Sequence, residues 1–148
     1  MIAEYELVSP ADAEAWRCYH DIRRAVLFEA RGWFGVYDEN RPDEKADGHH
    51  AKLLLYRRDP IGVVRIDIAG EAAILRRVAV RSDAQRCGHG RALLSLAQLF
   101  AIANGCGRLE SNVASDAVGF YEKCGFSVAR DADARMFARE SVLMTKRL

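Results

Sequence analysis

Two stretches of the chain carry apolar residues at the three-and-four spacing of a helix. In the first, Ala15, Trp16, Tyr19, Ile22, Val26 and Leu27 make one broad stripe. Ser9-Pro10 precedes it in the manner of an N-cap followed by a first-turn proline, and the pattern stops near Gly32. In the second, Leu93, Leu96, Ala97 and Phe100 recur at i, i+3, i+4 and i+7, so one face is core, and "NGCG" at 104–107 ends it. Strand-like segments surround these helices. "YELVS" at 5–9 is a first strand. "HAKLLLYRR" and "IGVVRIDIAG", joined at Asp59-Pro60, predict a tight hairpin. "EAAILRRVAV" follows a turn at Gly70-Glu71 and completes an antiparallel meander. "RLESNV" is a fifth strand, and Ser115 or Asp116 can cap a short helix over 116–123 that stops at Cys124-Gly125. Final strands fall at 126–130 and 141–148. Residues 32–48 are rich in glycine, proline and acids, and a loop that long is commonly functional. The order of elements predicts a mixed α/β or α+β layered fold.

Composition narrows the class. The 148 residues point to one domain, and at 50% hydrophobic they can bury a core without disulfide staples. A net charge of +1, from 22 basic and 21 acidic side chains, argues against a nucleic-acid binder. There is no apolar run of about 18 residues and no basic-then-apolar leader in "MIAEYELVSP", so neither a membrane span nor secretion is expected. Cys18, Cys87, Cys106 and Cys124 are scattered, which suits free thiols in a cytoplasmic protein. An edge strand would be an ordinary route to a homodimer.

The chemistry concentrates at "QRCGHG", residues 85–90, where a strand gives way to a helix. A helix starting just after Gln85 would present unpaired backbone N–H groups and the positive end of its dipole. Gly88 and Gly90 lack β-carbons, so a bulky anion can approach the backbone, and Arg86 and Arg91 add charge. This is a competent phosphate cradle. Neither G-x-x-x-x-G-K-[ST] nor a complete G-x-G-x-x-G is present. A plain strand-to-helix turn stays open on these residues alone.

Gln85-Arg-Cys-Gly-His-Gly90 resembles the Q/R-x-x-G-x-G/A motif of the GCN5-related N-acetyltransferases (GNAT). "RRVAV" before it, "RALL" after it and "AVGFYEKCGF" at 117–126 are also similar to that family. A weaker likeness lies in "IRRAVLFEARG" and "DEKADGHH", similar to the opening of a bacterial subgroup. The resemblance implies one acetyl-CoA-dependent acyltransferase domain over residues 1–148. It implies a central mixed, mostly antiparallel sheet flanked by helices and splayed between its fourth and fifth strands. It also implies that Gln85, Arg86, Cys87, Gly88, His89 and Gly90, with Arg91, hold the pyrophosphate of acetyl-CoA, chiefly through backbone N–H groups. Val78 and Val80 would pair their backbone with the pantetheine arm, and Tyr121 would protonate the departing thiolate. Arg86 and Cys87 depart from the usual glycine and lysine or arginine. Ala114 stands where an asparagine or glutamine is common, so Asn112 could serve the cofactor instead. Arg31 replaces the subgroup's glutamine.

The expected reaction is direct attack of an amine on the thioester, with positioning supplying much of the rate. The acceptor would be a primary amine of a small molecule or peptide. Tyr121 is the candidate acid, against a reading as a core aromatic beside Phe120. Glu29, beside the long loop, is the leading substrate-site carboxylate, against a solvated helix residue. Arg76 and Arg77 alternate across one strand, so one of them should face the substrate, where an arginine suits a carboxylate-bearing acceptor; Arg76 is the one assigned. His49-His50 is an ordinary pair, and no metal is expected. Cys87, at a helix start near arginines, should have a lowered pKa. Cys124, three residues after Tyr121, raises a conceivable acyl-cysteine route. Competing functions are a non-catalytic acyl-CoA-binding regulatory module and a nucleotide-binding domain with an atypical phosphate loop.

Overall fold

The computed structural model describes residues 4–129 and 141–148. Within them the chain runs β1 (Tyr5–Val8), α1 (Ala13–Arg23), β2 (His49–Tyr56), β3 (Asp59–Ala69), β4 (Ala72–Val80), α2 (His89–Ala103), β5 (Arg108–Ala114), α3 (Val118–Lys123), β6 (Ser127–Val128) and β7 (Ser141–Arg147). The strands form one sheet in the order β1-β2-β3-β4-β5-β7-β6. Every neighbouring pair is antiparallel except β4 and β5, which are parallel. The meander and the mixed sheet flanked by helices are as the sequence implied. Arg130, the last residue of the strand expected over 126–130, lies outside the described residues. Among the described residues no helix is long and apolar enough to cross a membrane.

Alternation along the strands builds two cores. Leu53 and Val63 join Ala51 and Ala79 beneath Tyr19 and Ile22 of α1. Their neighbours Leu54, Val64 and Ile66 point the other way and pack with Leu75 and Leu109 against Leu93, Leu94, Ala97 and Ala101 of α2. Each such leucine, removed from water, contributes roughly 2–3 kcal/mol before entropy is counted. The α1 face changes character along β3. After Val63 the same face presents Arg65 and Asp67, each only 5% exposed.

Three boundaries differ from the sequence reading. Helix α1 starts at Ala13, because Asp12 supplies the cap: its Oδ1 accepts from the Ala15 N–H at 2.8 Å. The helix then loosens into a π turn at Arg24–Phe28 and a 3-10 turn at Glu29–Arg31, ending at Gly32 with φ +83°. The β2–β3 hairpin turns on Arg57-Arg58, both at positive φ, and strand β3 already includes Asp59 and Pro60. Tyr56 pairs with Asp59, so only two residues are left for the loop, and right-handed strand twist then demands left-handed backbone there.

The long loop is tied down at a 3-10 turn, Pro42–Lys45. Glu44 from that turn is buried beneath α1, where the Tyr19 hydroxyl donates to it at 2.6 Å and Arg23 pairs with it. Burial works to raise the Glu44 pKa, but hydrogen bonds from Tyr19 and Arg23 hold it below the usual range. Its stabilisation is therefore present above the unfolded carboxyl pKa and lost as pH falls.

Candidate active site

The ladder between β4 and β5 ends at Leu75 opposite Ser111. Beyond it the two strands part, and the gap opens into a cleft of about 870 Å³. Val78, Ala79 and Val80 line one wall, and Asn112, Val113 and Ala114 the other. The sheet is thus splayed where the resemblance implied. β4 also carries a bulge: Val63 pairs with Ala79 but Arg65 with Arg76, which leaves extra backbone around Arg77 at φ +57°.

Gln85, Arg86, Gly88, Gly90 and Arg91 rim the cleft. The helix α2 begins at His89 and not just after Gln85, because Arg86 (φ +64°) and Gly88 (φ +84°) take left-handed backbone and form a loop first. The Gln85 side chain closes that loop by donating to the Val80 carbonyl at 2.9 Å. The first bond of the helix runs from the Ala92 N–H to the Gly88 carbonyl, so His89, Gly90 and Arg91 have N–H groups without intrahelical partners. A β-carbon on Gly90 would sit 3.1 Å from Phe120 Cζ, so the missing side chain lets α2 and α3 close together. At Gly88 a β-carbon would meet nothing, and the requirement there is conformational.

Two residues of the motif turn away. His89 is 9% exposed; its Nδ1 lies 2.6 Å from the Tyr5 hydroxyl and its ring packs on Tyr5 and Tyr56, away from the cleft. Cys87 is exposed, lies 3.4 Å from the Gln85 carbonyl and does not line the cleft.

Tyr121 sits in the core and at the cleft at once. It is 7% exposed and packs edge-on between Phe120 and Phe126, as a core aromatic would, yet it also lines the cleft. Burial pushes its phenol up to about 12, while the neighbouring Ser111 hydroxyl pulls the other way. Ser111 is itself held by donating to the Leu75 carbonyl at 3.2 Å, at the last rung before the strands part. Cys124 lines a different, smaller cavity with Arg91 and Lys146, and burial pushes its thiol up despite those two cations. The acyl-cysteine route is corrected accordingly: the thiol is neither in the Tyr121 cleft nor activated.

A second cavity of about 480 Å³ adjoins the first, since Arg77 and Asn112 line both. Its walls are ionic. Arg65 grips Asp67 with two bonds of 2.8 Å each, Arg76 reaches the same carboxylate at 2.9 Å, and Arg65 also meets Asp43 at 3.2 Å. His49 sits beside them, with Nε2 3.5 Å from Asp67 and Nδ1 2.5 Å from the Asp43 carbonyl oxygen. His50 instead packs edge-on against Phe100. Among the described residues no group of three histidine, cysteine or acidic side chains could hold a metal. Arg76 and Arg77 do not lie on opposite faces as strict alternation required. The bulge brings both to this cavity, Arg76 already paired and Arg77 without an ion pair among the described residues. Glu29 lines neither cavity, whereas Arg31, two residues on, reaches the cleft. The sequence reading missed Arg65, Asp67, Asp43 and Arg41. The available signal was "RID" at 65–67, two opposite charges on one face of an otherwise apolar central strand.

Known proteins share the fold. Residues 48–128 match the model of the acetyltransferase (GNAT) domain. A protein of Bacillus subtilis (strain 168) named as an acetyltransferase is 27% identical over 127 residues, 85% of each chain. The crystal structure of an N-acetyltransferase-like protein from Lactobacillus plantarum is similar with a TM-score of 0.77 at 28% identity, covering 97% of this chain and 98% of that one. The Escherichia coli ribosomal-protein-S18-alanine N-acetyltransferase shares the fold with a TM-score of 0.73 at 19% identity, over 97% and 93% of the two chains. The matched domain takes in the splayed strands, the glycine turn and the buried tyrosine, and the chain belongs to the GNAT acetyltransferase family.

Proposed function

We propose that this protein transfers the acetyl group of acetyl-CoA to a primary amine of a small molecule or peptide, with both substrates bound at once. The carrying observation is the continuity of the two cavities: one lined by free backbone donors and Tyr121, the other polar, meeting at Arg77 and Asn112. Acetyl-CoA supplies an activated thioester. Around it, the N–H groups at the start of α2 and the guanidinium of Arg91 face a pyrophosphate, and the absence of a β-carbon at Gly88 leaves room for one. Val78 and Val80 lie on the part of β4 beyond its ladder with β5, where an extended amide chain can pair with backbone that β5 does not use, the Val80 carbonyl also accepting from Gln85. Asn112, on the opposite wall, is placed to orient the acyl end.

The amine enters from the polar cavity with its lone pair free. As its nitrogen bonds to the carbonyl carbon and the carbon–sulfur bond breaks, Tyr121 gives its proton to the departing sulfur, and the proton shed by the new amide nitrogen passes through water to restore the phenol. Holding the reactants side by side supplies the remainder through proximity. The tyrosine in the cleft favours this reading over a regulatory acyl-CoA-binding module. Release of free CoA thiol from acetyl-CoA across a panel of amines tests it. Amine-dependent release is expected, and binding of acetyl-CoA with no release for any amine would return the chain to the regulatory reading. Thermal shift with acetyl-CoA against ATP separates the nucleotide-binding reading, since only a ligand of the folded state raises Tm.

Gly88→Ala gives a smaller test. Its β-carbon meets no protein atom but must adopt φ +84°, in the loop that lines the cleft beside the first N–H groups of α2. The left-handed backbone costs roughly 1–2 kcal/mol of stability. Acetyl-CoA binding, followed by calorimetry, should weaken about tenfold, or ~1.4 kcal/mol.

A further inference from the structure

We infer that the amine acceptor carries a carboxylate and that Arg77 is the residue that binds it, in the polar cavity beside the cofactor cleft. This rests on the acetyltransferase reading above and adds the substrate class.

Charge is unbalanced in that cavity. Four arginines line it, Arg41, Arg65, Arg76 and Arg77, with two aspartates, Asp43 and Asp67. Both carboxylates are already committed. Asp67 takes Arg65 and Arg76, and Asp43 takes Arg65 at 3.2 Å and Arg41 at 3.4 Å. Among the described residues Arg77 has no ion pair at all; its guanidinium lies over the Phe28 ring, 5.2 Å from the centroid. Arg77 is exposed at the cavity mouth, yet partial desolvation by its neighbours and the nearby cations Arg23 and Arg41 lower its affinity for its own proton, so an added anion would relieve repulsion there. The backbone points to the same residue. Arg77 holds φ +57°, a conformation an L side chain avoids, and the bulge that imposes it aims the guanidinium at the junction of the two cavities. Strain kept at an unpaired cation facing a cavity is the pattern of a ligand site rather than of a structural ion pair. A planar fork at this point can take a carboxylate in two parallel bonds. The amine of the same molecule then lies toward Asn112 and the cleft. The cavity of about 480 Å³ admits an acceptor of amino-acid size and is too polar for an aliphatic amine alone.

Free amino acids compared with their carboxamides, assayed as acceptors with acetyl-CoA, decide the matter. In the unaltered protein kcat/KM for the carboxylate member of a productive pair should exceed that of its carboxamide by about tenfold or more. Arg77→Gly removes the guanidinium while suiting the left-handed backbone, so it should fold at least as stably, and it should erase the preference. Arg77→Lys should restore only part of it, because a point charge cannot make the paired bonds. Equal or better use of carboxamides, a preference that survives Arg77→Gly, or a loss confined to the KM of acetyl-CoA would each overturn the inference while leaving acetyl transfer standing. Absence of CoA release with every amine would instead remove the acetyltransferase reading, and the inference with it.

Discussion

Asp67→Ala should lose about 3–5 kcal/mol of stability, the largest structural penalty expected of any single change near the site. In a chain of this size that is a fall in Tm of roughly 10 °C, and urea titration would read it as a lower midpoint at unchanged m-value. The carboxylate is 5% exposed and answers three side chains: Arg65 through two bonds, Arg76 through one, and His49 at 3.5 Å. Its removal leaves Arg65, also 5% exposed, with Asp43 alone. A buried cation that has lost most of its counter-charge costs more than the pair ever contributed, since its desolvation is no longer offset. The same logic sets the control. Arg65→Met with Asp67→Leu replaces both charges by apolar groups of similar size and should recover much of what Asp67→Ala loses. The exposed pair Arg57 with Glu4 makes an equally short contact of 2.7 Å, yet screening by water leaves it nothing measurable to contribute. A loss below about 1 kcal/mol for Asp67→Ala would mean that water already solvates Arg65 in the folded state.

That network also shows where the sequence stopped being legible. Helix stripes and the strand meander could be read because their partners are local or repeat with a fixed period: Leu93, Leu96, Ala97 and Phe100 need no knowledge of the rest of the chain. The splay of β4 from β5 came through the family resemblance of the glycine and tyrosine motifs, not from periodicity. Positions governed by backbone conformation were misjudged. Arg57 and Arg58 turn a hairpin without glycine or asparagine, Arg86 and Gly88 delay the start of α2, and the bulge at Arg77 breaks the alternation that separated Arg76 from Arg77. None of these carries a residue type that announces positive φ except Gly88. The ionic cavity was invisible for a different reason. Its anions come from β3 and from the 3-10 turn at Pro42–Lys45, and only the folded chain brings Asp43 against Arg65. His89 carries a contact that the motif does not announce, since its side chain answers to Tyr5, 84 positions away.

Tyr121→Phe should lower kcat by about a hundredfold or more and leave acetyl-CoA affinity nearly unchanged, if the phenol supplies the proton that the leaving sulfur takes up. The variant is a clean probe. The ring's edge contacts with Phe120 and Phe126 survive, and only the phenol oxygen beside Ser111 is lost, for a stability cost of about 1 kcal/mol or less. The pH profile adds a second constraint. Burial raises the folded pKa to about 12 from the ordinary 10.0, so the fold favours the protonated phenol. The associated stabilisation is complete below the unfolded value and disappears as pH rises through the folded one. Across any practical assay range Tyr121 therefore remains a donor. The rate should climb with pH as the amine acceptor loses its proton, and no descending limb belonging to the tyrosine should appear below about pH 11. A high pKa makes a weaker acid, but the sulfur it serves is a thiolate of ordinary pKa about 8.5 that departs beside a phenol only 7% exposed, where a proton donor already in place counts for more than its strength in solution. A kcat in Tyr121→Phe equal to that of the unaltered protein would assign the residue to the core alone. A fall in rate near pH 9–10 that the phenylalanine variant lacks would show that the bound cofactor brings the phenol back toward its ordinary pKa.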